Sequence, residues 1–426
     1  MRRIISLIIT VSLFTGVFMS FNSVCIADDV VRPEEILSKR LVVYDDETYA
    51  KLEQLWKEYN DKFPSEYAYS NWAYAARYAG DEKYQDILDK GLEKYPANPT
   101  LLYLKALIGL GKSDNAEIIK YLEKAISIDP GYTDAWFVLA VQYMTNGDED
   151  RANLALKNVL ESGVITDEVM DYNYNMLMSL DRDAVLITNG DNDTYPGWIL
   201  QRILDIRPDV TIVNRSLLNT DWYPIQVVEQ GAPRFITSSE LEQLRNAINE
   251  KMKKDKSGIP VGGPYGDTLI VRIIDSAERS GRPVYLSETL YMTDRLTELV
   301  DNGQTLGLVA LVTKTDVPYR DRLHDVYSRW LNDFRTEGLR GWRLRHSPET
   351  DAGRMLAVNY GMALVGNLEA INQYAPDLRG DLFRWYLDNI YDILRTDIRD
   401  RTIALWCSNT DVEEIRDWCR KMGVKP

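Results

Sequence analysis

Ala184-Val185-Leu186-Ile187-Thr188-Asn189-Gly190-Asp191-Asn192-Asp193-Thr194-Tyr195-Pro196 places a short apolar run directly before a loop crowded with carboxylates and amides. The apolar run reads as a buried strand, and the periodic segment after the loop reads as a helix. A second unit follows, because Asp209-Val210-Thr211-Ile212-Val213-Asn214 reads as another strand and runs into Leu218-Asn219-Thr220-Asp221-Trp222-Tyr223. In an open α/β sheet, ligands bind outside the carboxyl ends of the strands. Two polar loops are therefore expected side by side at a binding edge.

Strands continue at Pro283 to Ser287 and Leu306 to Thr313, with helices over Ser239 to Lys254 and Thr268 to Arg279. Such alternation predicts a mostly parallel α/β sheet over residues 183–317, covered on both faces. After Val317 the strand signal ends. Helices are expected at Tyr319 to Phe334, Asp351 to Tyr374 and Asp381 to Arg395, which makes 318–426 a helical cap.

Before the sheet, prolines at 64, 96 and 130 recur at intervals matching stacked two-helix repeats. Trp136, Leu139, Ala140, Tyr143, Gly147, Ala152, Leu156 and Leu160 follow the tetratricopeptide pattern, in which large side chains wedge against small ones on the facing helix. Residues 45–164 therefore read as a helical-repeat array, and Trp136 is expected in its core. Ile165 to Arg182 reads as a joining helix. Arrays of this type hold protein partners in their concave groove.

NGDNDTYPGWILQRILDIRPDV (189–210) and TIVNRSLLNTDWYPIQV (211–227), continued by Gly281-Arg282-Pro283-Val284-Tyr285-Leu286 and Leu306-Gly307-Leu308-Val309, carry a resemblance. They resemble the soluble C-terminal module of a family of multi-spanning bacterial membrane proteins related to protein O-mannosyltransferases, whose members often join this module to helical repeats. The resemblance implies a role near glycoprotein or polysaccharide handling. In that family the glycosyl-transfer residues are assigned to the membrane-embedded half, which has no counterpart in this sequence.

Arg2 and Arg3 precede an apolar run from Ile4 to Phe21, and Cys25-Ile26-Ala27 supplies small residues at a cleavage point. Residues 1–27 read as a secretory signal peptide, with an uncleaved anchor as the alternative. No later stretch has the apolar length of a membrane span, so an exported protein of the periplasm or cell envelope is expected. Loss of Arg2 and Arg3, with no acid removed, takes the formal charge from −15 to −17. Such a surface argues against nucleic acid and anionic lipid as partners. Cys407 and Cys419 remain, and their spacing leaves a disulfide clip and two isolated thiols equally open.

Asn189, Asp191, Asn192, Asp193, Asn219, Asp221 and Trp222 are the candidate ligand-binding residues. Asp191, Asp193 and Asp221 could hold calcium or magnesium, which take oxygen ligands, or serve as catalytic carboxylates. A glycan is equally compatible, its hydroxyls meeting the amides and acids while Tyr195, Trp198, Trp222 or Tyr223 stacks on a sugar ring. Helix capping competes for the same residues, since Asp193 or Thr194, and Asn219 to Asp221, sit where caps are needed and Pro196 suits a first turn. Glu288, after the third strand, is a further acid. Ser287 has no positioned histidine base, and with His324 and His346 alone a zinc site lacks ligands. The glycine-rich stretch Lys256 to Gly266 lacks the strand and lysine of a phosphate loop and reads as a connection or lid. The sequence thus favours a non-enzymatic binding or scaffolding protein, with a carboxylate-dependent, glycan-active enzyme as the alternative.

Overall fold

The computed structural model describes residues 30–110, 115–255 and 263–424. The expected signal peptide and most of the glycine-rich connection lie outside the described residues. Among the described residues no helix is long and apolar enough to cross a membrane.

The chain opens with a repeat-like helical array: α1 (Asp46–Lys62), α2 (Glu66–Ala79), α3 (Tyr84–Lys94), α4 (Pro99–Gly109), α5 (Asn115–Ile128), α6 (Thr133–Thr145) and α7 (Glu149–Glu161). Pro64, Pro96 and Pro130 each fall in a connection that leads into the next helical pair, where a missing N–H costs nothing. Local caps then start the helices: Ser65 accepts from Ala68 N, Asn98 from Leu101 N, and Asp148 from Arg151 N. Ala140 and Ala152 are fully buried, and Phe137 and Tyr143 are nearly so. Trp136 departs from the expectation. It is half-buried, its indole N–H donating to Pro130 O at 2.9 Å, while the neighbouring Phe137 points into the core.

α8 (Asp167–Met178) joins the array to β1 (Val185–Thr188), α9 (Asp191–Arg202) and β2 (Thr211–Asn214). A 3-10 turn (Leu217–Asn219), α10 (Tyr223–Glu229), α11 (Ser238–Asp255), α12 (Gly266–Ser280), β3 (Val284–Ser287), α13 (Asp294–Asp301), β4 (Gln304–Leu306) and β5 (Val309–Leu311) complete the central unit. The sheet order is β2-β1-β3-β5-β4. β1 pairs in parallel with β2 and β3, with Val185 opposite Thr211 and Val284, whereas β5 is antiparallel to both β3 and β4.

The sheet is therefore mixed rather than mostly parallel. The expected strand Leu306 to Thr313 is a hairpin, because Gly307 turns the chain with φ +70°, and a Cβ there would stand 2.9 Å from the Trp330 ring. The carboxyl ends of β1, β2 and β3 still share one edge.

α14 (Tyr319–Asp333), α15 (Glu337–Arg340), α16 (Trp342–His346), α17 (Ala352–Gly366), α18 (Leu368–Tyr374), α19 (Arg379–Asn389), α20 (Thr396–Ser408) and α21 (Glu413–Lys421) form the C-terminal region. Trp330 and Tyr327 of α14 are fully buried, with Trp330 edge-on to Tyr360 and Trp385. The helix expected from Asp351 to Tyr374 is interrupted at Asn367, whose amide donates to Ala363 O at 3.1 Å. Cys407 and Cys419 are bonded, with Cα atoms 5.9 Å apart, linking α20 to α21.

Ahead of α1, residues 36–44 form a strap that ties the two ends of the molecule together. Val43 N donates to Thr350 O and Ala352 N to Leu41 O, both at 2.9 Å, which seats Val42 against Asp351. Ser38 Oγ donates to Asp134 on α6 at 2.6 Å.

Candidate functional site

The β1–α9 turn is built around Asp193. Its carboxylate accepts from Asn189 N at 2.6 Å and Gly190 N at 2.8 Å, and Thr289 Oγ1 donates to it from the loop after β3. Asp193 is nearly fully buried, and burial pushes its carboxyl above the ordinary range although these donors pull it down. The cap thus claims the residue. Beneath it, Asn214 at the end of β2 donates to Thr194 Oγ1 at 2.9 Å and Gly190 O at 3.3 Å, fixing the two loops against each other.

Asn219 is likewise engaged. Its Oδ1 accepts from Tyr265 N at 2.9 Å and Gly266 N at 3.2 Å, holding the start of α12. This requires Gly263, which has φ +85° and whose added Cβ would come within 2.4 Å of the Asn219 side chain. From α8, Asn173 donates to Asn192 O at 2.8 Å and secures the first loop from below.

The remaining two aspartates point outward, each to a different arginine. Asp191, half-exposed, lies 3.2 Å from Arg40 Nη2 of the strap. Asp221, almost fully exposed, pairs with Arg245 of α11. Asp191, Asp193 and Asp221 therefore do not converge on a shared cation. Among the described residues no cluster of three acidic, histidine or cysteine side chains is placed to hold a metal. Mutual repulsion is relieved instead by two guanidinium groups and a ring of cap donors.

All seven candidate binding residues nevertheless line one cleft of 1370 Å³, running between the array, the carboxyl edge of the sheet and α17. Of the aromatic candidates, Tyr195, Trp198 and Tyr223 are buried core residues, and Tyr195 donates to Phe137 O at 3.0 Å. Tyr195 and Trp222 both line the cleft, Tyr195 as a buried wall residue and Trp222 with its surface partly open.

Glu288 stands at the end of β3 in the same cleft. Its carboxylate is open to water yet ringed by protein mass, and no described residue bonds to it. Burial in the cleft pushes its carboxyl up to about 7. Arg40, by contrast, is locked as a cation. Burial opposes its charge, but Asp191, Tyr103 and Asp134 outweigh that cost and hold its pKa well above the ordinary value. Its Nη1 is 3.3 Å from Asp134, and Cζ stands 4.2 Å over the Phe137 ring. Local sequence signals miss Arg40, Arg77 and Arg245, since each reaches the cleft from an element remote in sequence.

Comparison with known proteins adds the following. The family profile "TMEM260-associated domain 2" matches residues 169–255, from α8 to α11, and so spans both polar loops. The crystal structure of yeast Tom70 aligns with a TM-score of 0.26 at 14% identity, covering 88% of this chain. The chain spans 60% of the length of that structure. No curated protein matches.

Proposed function

We propose that this protein is an exported, non-enzymatic binding module of the cell envelope that holds an extended segment of a partner protein between its helical array and its sheet edge. One observation carries the reading: residues of α2, α4 and α6 of the array and the two polar loops line a single cleft of 1370 Å³. That volume exceeds the range of ordinary small-molecule pockets. The helical array supports a protein partner, and the profile match over 169–255 supports kinship with the module identified in the second half. An accessory role in glycoprotein or polysaccharide handling extends the same reading.

Photo-crosslinking residues placed at Leu107 or Thr145, inside the cleft, should capture the partner in cells, whereas one at Leu154 on the outer surface should not. Equal capture from Leu154 overturns the assignment. Export is tested separately by fractionating cells that express the chain with and without residues 1–27.

Glu288 supports a second reading, a carboxylate enzyme acting on a glycan. A carboxyl near 7, lifted by burial and free of a charge partner, suits proton transfer at neutral pH. Glu288→Gln should then abolish turnover while ligand binding persists. Retained turnover in that variant removes Glu288 from the chemistry.

A further inference from the structure

The two walls of the cleft differ in charge. Lys39, Arg40 and Arg77 line the array side without any Asp or Glu, whereas Asp191, Asp193, Asp221 and Glu288 stand on the sheet side with Arg245 paired to Asp221. In a chain of formal charge −15, an acid-free wall with three cations is a departure that calls for a physical reason. Arg40 is neutralised by Asp134 and Asp191. The other two are not: neither the Lys39 ammonium nor the Arg77 guanidinium makes a hydrogen bond or ion pair with any described residue.

Both cations rest on the ring of Tyr78, with Lys39 Nζ 5.1 Å and Arg77 Cζ 5.9 Å from its centroid. That ring packs on Tyr49, stacked at 5.2 Å, and contacts Tyr74 at a tilt, with centroids 4.9 Å apart, so the platform has a defined position. Arg77 also lies 5.6 Å from the Tyr84 ring, and its Nε is buried with no hydrogen-bond partner. Aromatic faces orient a cation without consuming its N–H donors, which keeps those donors available to an incoming acceptor.

Resting on the cleft reading above, we propose that Lys39 and Arg77 form an anion subsite at the array end of the cleft, which takes a carboxylate side chain from an acidic position in the bound protein segment. The guanidinium fork matches a carboxylate in plane, and Lys39 adds a second charge from the strap. The strap is therefore part of the binding surface as well as a structural tie. The negative field of the whole protein disfavours polyanions, so the subsite selects a single acid within an otherwise lightly charged segment.

The probe is a pair of peptide mixtures, acetyl-X-X-Glu-X-X-amide and its Gln counterpart, with X randomised over apolar and aromatic residues, retained on immobilised full-length protein. The wild type should enrich the Glu mixture over the Gln mixture roughly tenfold, the scale of one charge-assisted contact. Arg77→Gln and Lys39→Gln should each remove most of that preference, and Lys94→Gln, a cation outside the cleft, should leave it intact. Melting curves identify any variant that fails to fold. Lys39→Gln keeps the test decisive if Arg77→Gln does, because Lys39 contributes no ion pair to the array. Equal retention of the two mixtures by the wild type leaves the cleft reading standing and overturns the subsite. Retention of neither above an unrelated control protein overturns both.

Discussion

Arg40 joins the strap, the array and the sheet edge through Asp134 and Asp191, and replacing it with Met isolates that role. The guanidinium and its partner Asp134 are 12% and 6% exposed, so removing one member leaves a buried carboxylate without its counter-charge. Breaking a buried pair in this way costs about 3–5 kcal/mol. Ser38 Oγ still donates to Asp134 at 2.6 Å, which places the loss toward the lower end. Asp191, at 53% exposed, adds under about 1 kcal/mol because water screens it. The lost contact with Phe137 contributes about 1 kcal/mol, giving a total of about 4–5 kcal/mol. Urea denaturation of Arg40→Met, Asp134→Asn, Asp191→Asn and the two double variants measures the couplings. Arg40 and Asp134 should couple by at least about 2 kcal/mol, Arg40 and Asp191 by less than about 1 kcal/mol. Hydrogen exchange should accelerate at residues 38–43 before the core opens. A coupling to Asp191 as large as that to Asp134, or a total loss below about 1 kcal/mol, would refute the reasoning.

Glu288 has a carboxyl raised to about 7, above its unfolded value, so the folded state holds an extra proton between those two points. Its stabilising contribution is present below the unfolded pKa and is lost as pH rises through about 7; Glu288→Gln should therefore gain on the wild type across that window, and parallel pH–stability curves would show an unshifted carboxyl. The Cys407–Cys419 bond closes a separation of 12 residues, which corresponds to about 3 kcal/mol of chain entropy, so the double Cys→Ser variant should melt earlier by that amount. An unchanged melt would mean that the last two helices are held by packing alone. Gly263→Ala should destabilise by about 1–3 kcal/mol and loosen the start of α12, read as faster exchange at residues 266–269. Protection there equal to wild type would count against the Asn219 cap. Millimolar calcium or magnesium should raise the melting temperature no more than sodium chloride of equal ionic strength, because Asp191 and Asp221 already carry arginine partners. A larger shift that disappears in Asp191→Asn would restore the cation site.

What the sequence determined by itself is what short-range chemistry controls. The proline spacing marked the helical pairs, the apolar runs marked the first three strands, and Asp193 ahead of Pro196 read as a cap for the helix after β1, all within a few residues of chain. The polar loops at the carboxyl ends of β1 and β2 were legible for the same reason, since parallel strands with short crossovers must deliver their loops to one edge. The hairpin at Gly307 escaped because an apolar run does not reveal a reversal, and Trp136 because helical period does not distinguish its outward lean from the inward face of Phe137. Tertiary structure alone decided which acids remained available. Arg40 meets Asp191 and Asp134 across long stretches of chain, Arg245 reaches Asp221 from a separate helix, and Lys39 and Arg77 meet over Tyr78 only when the strap lies across the array. Charge acts through space with no sequence period, so partners that determine a cleft's electrostatics leave no local trace in the residues that receive them.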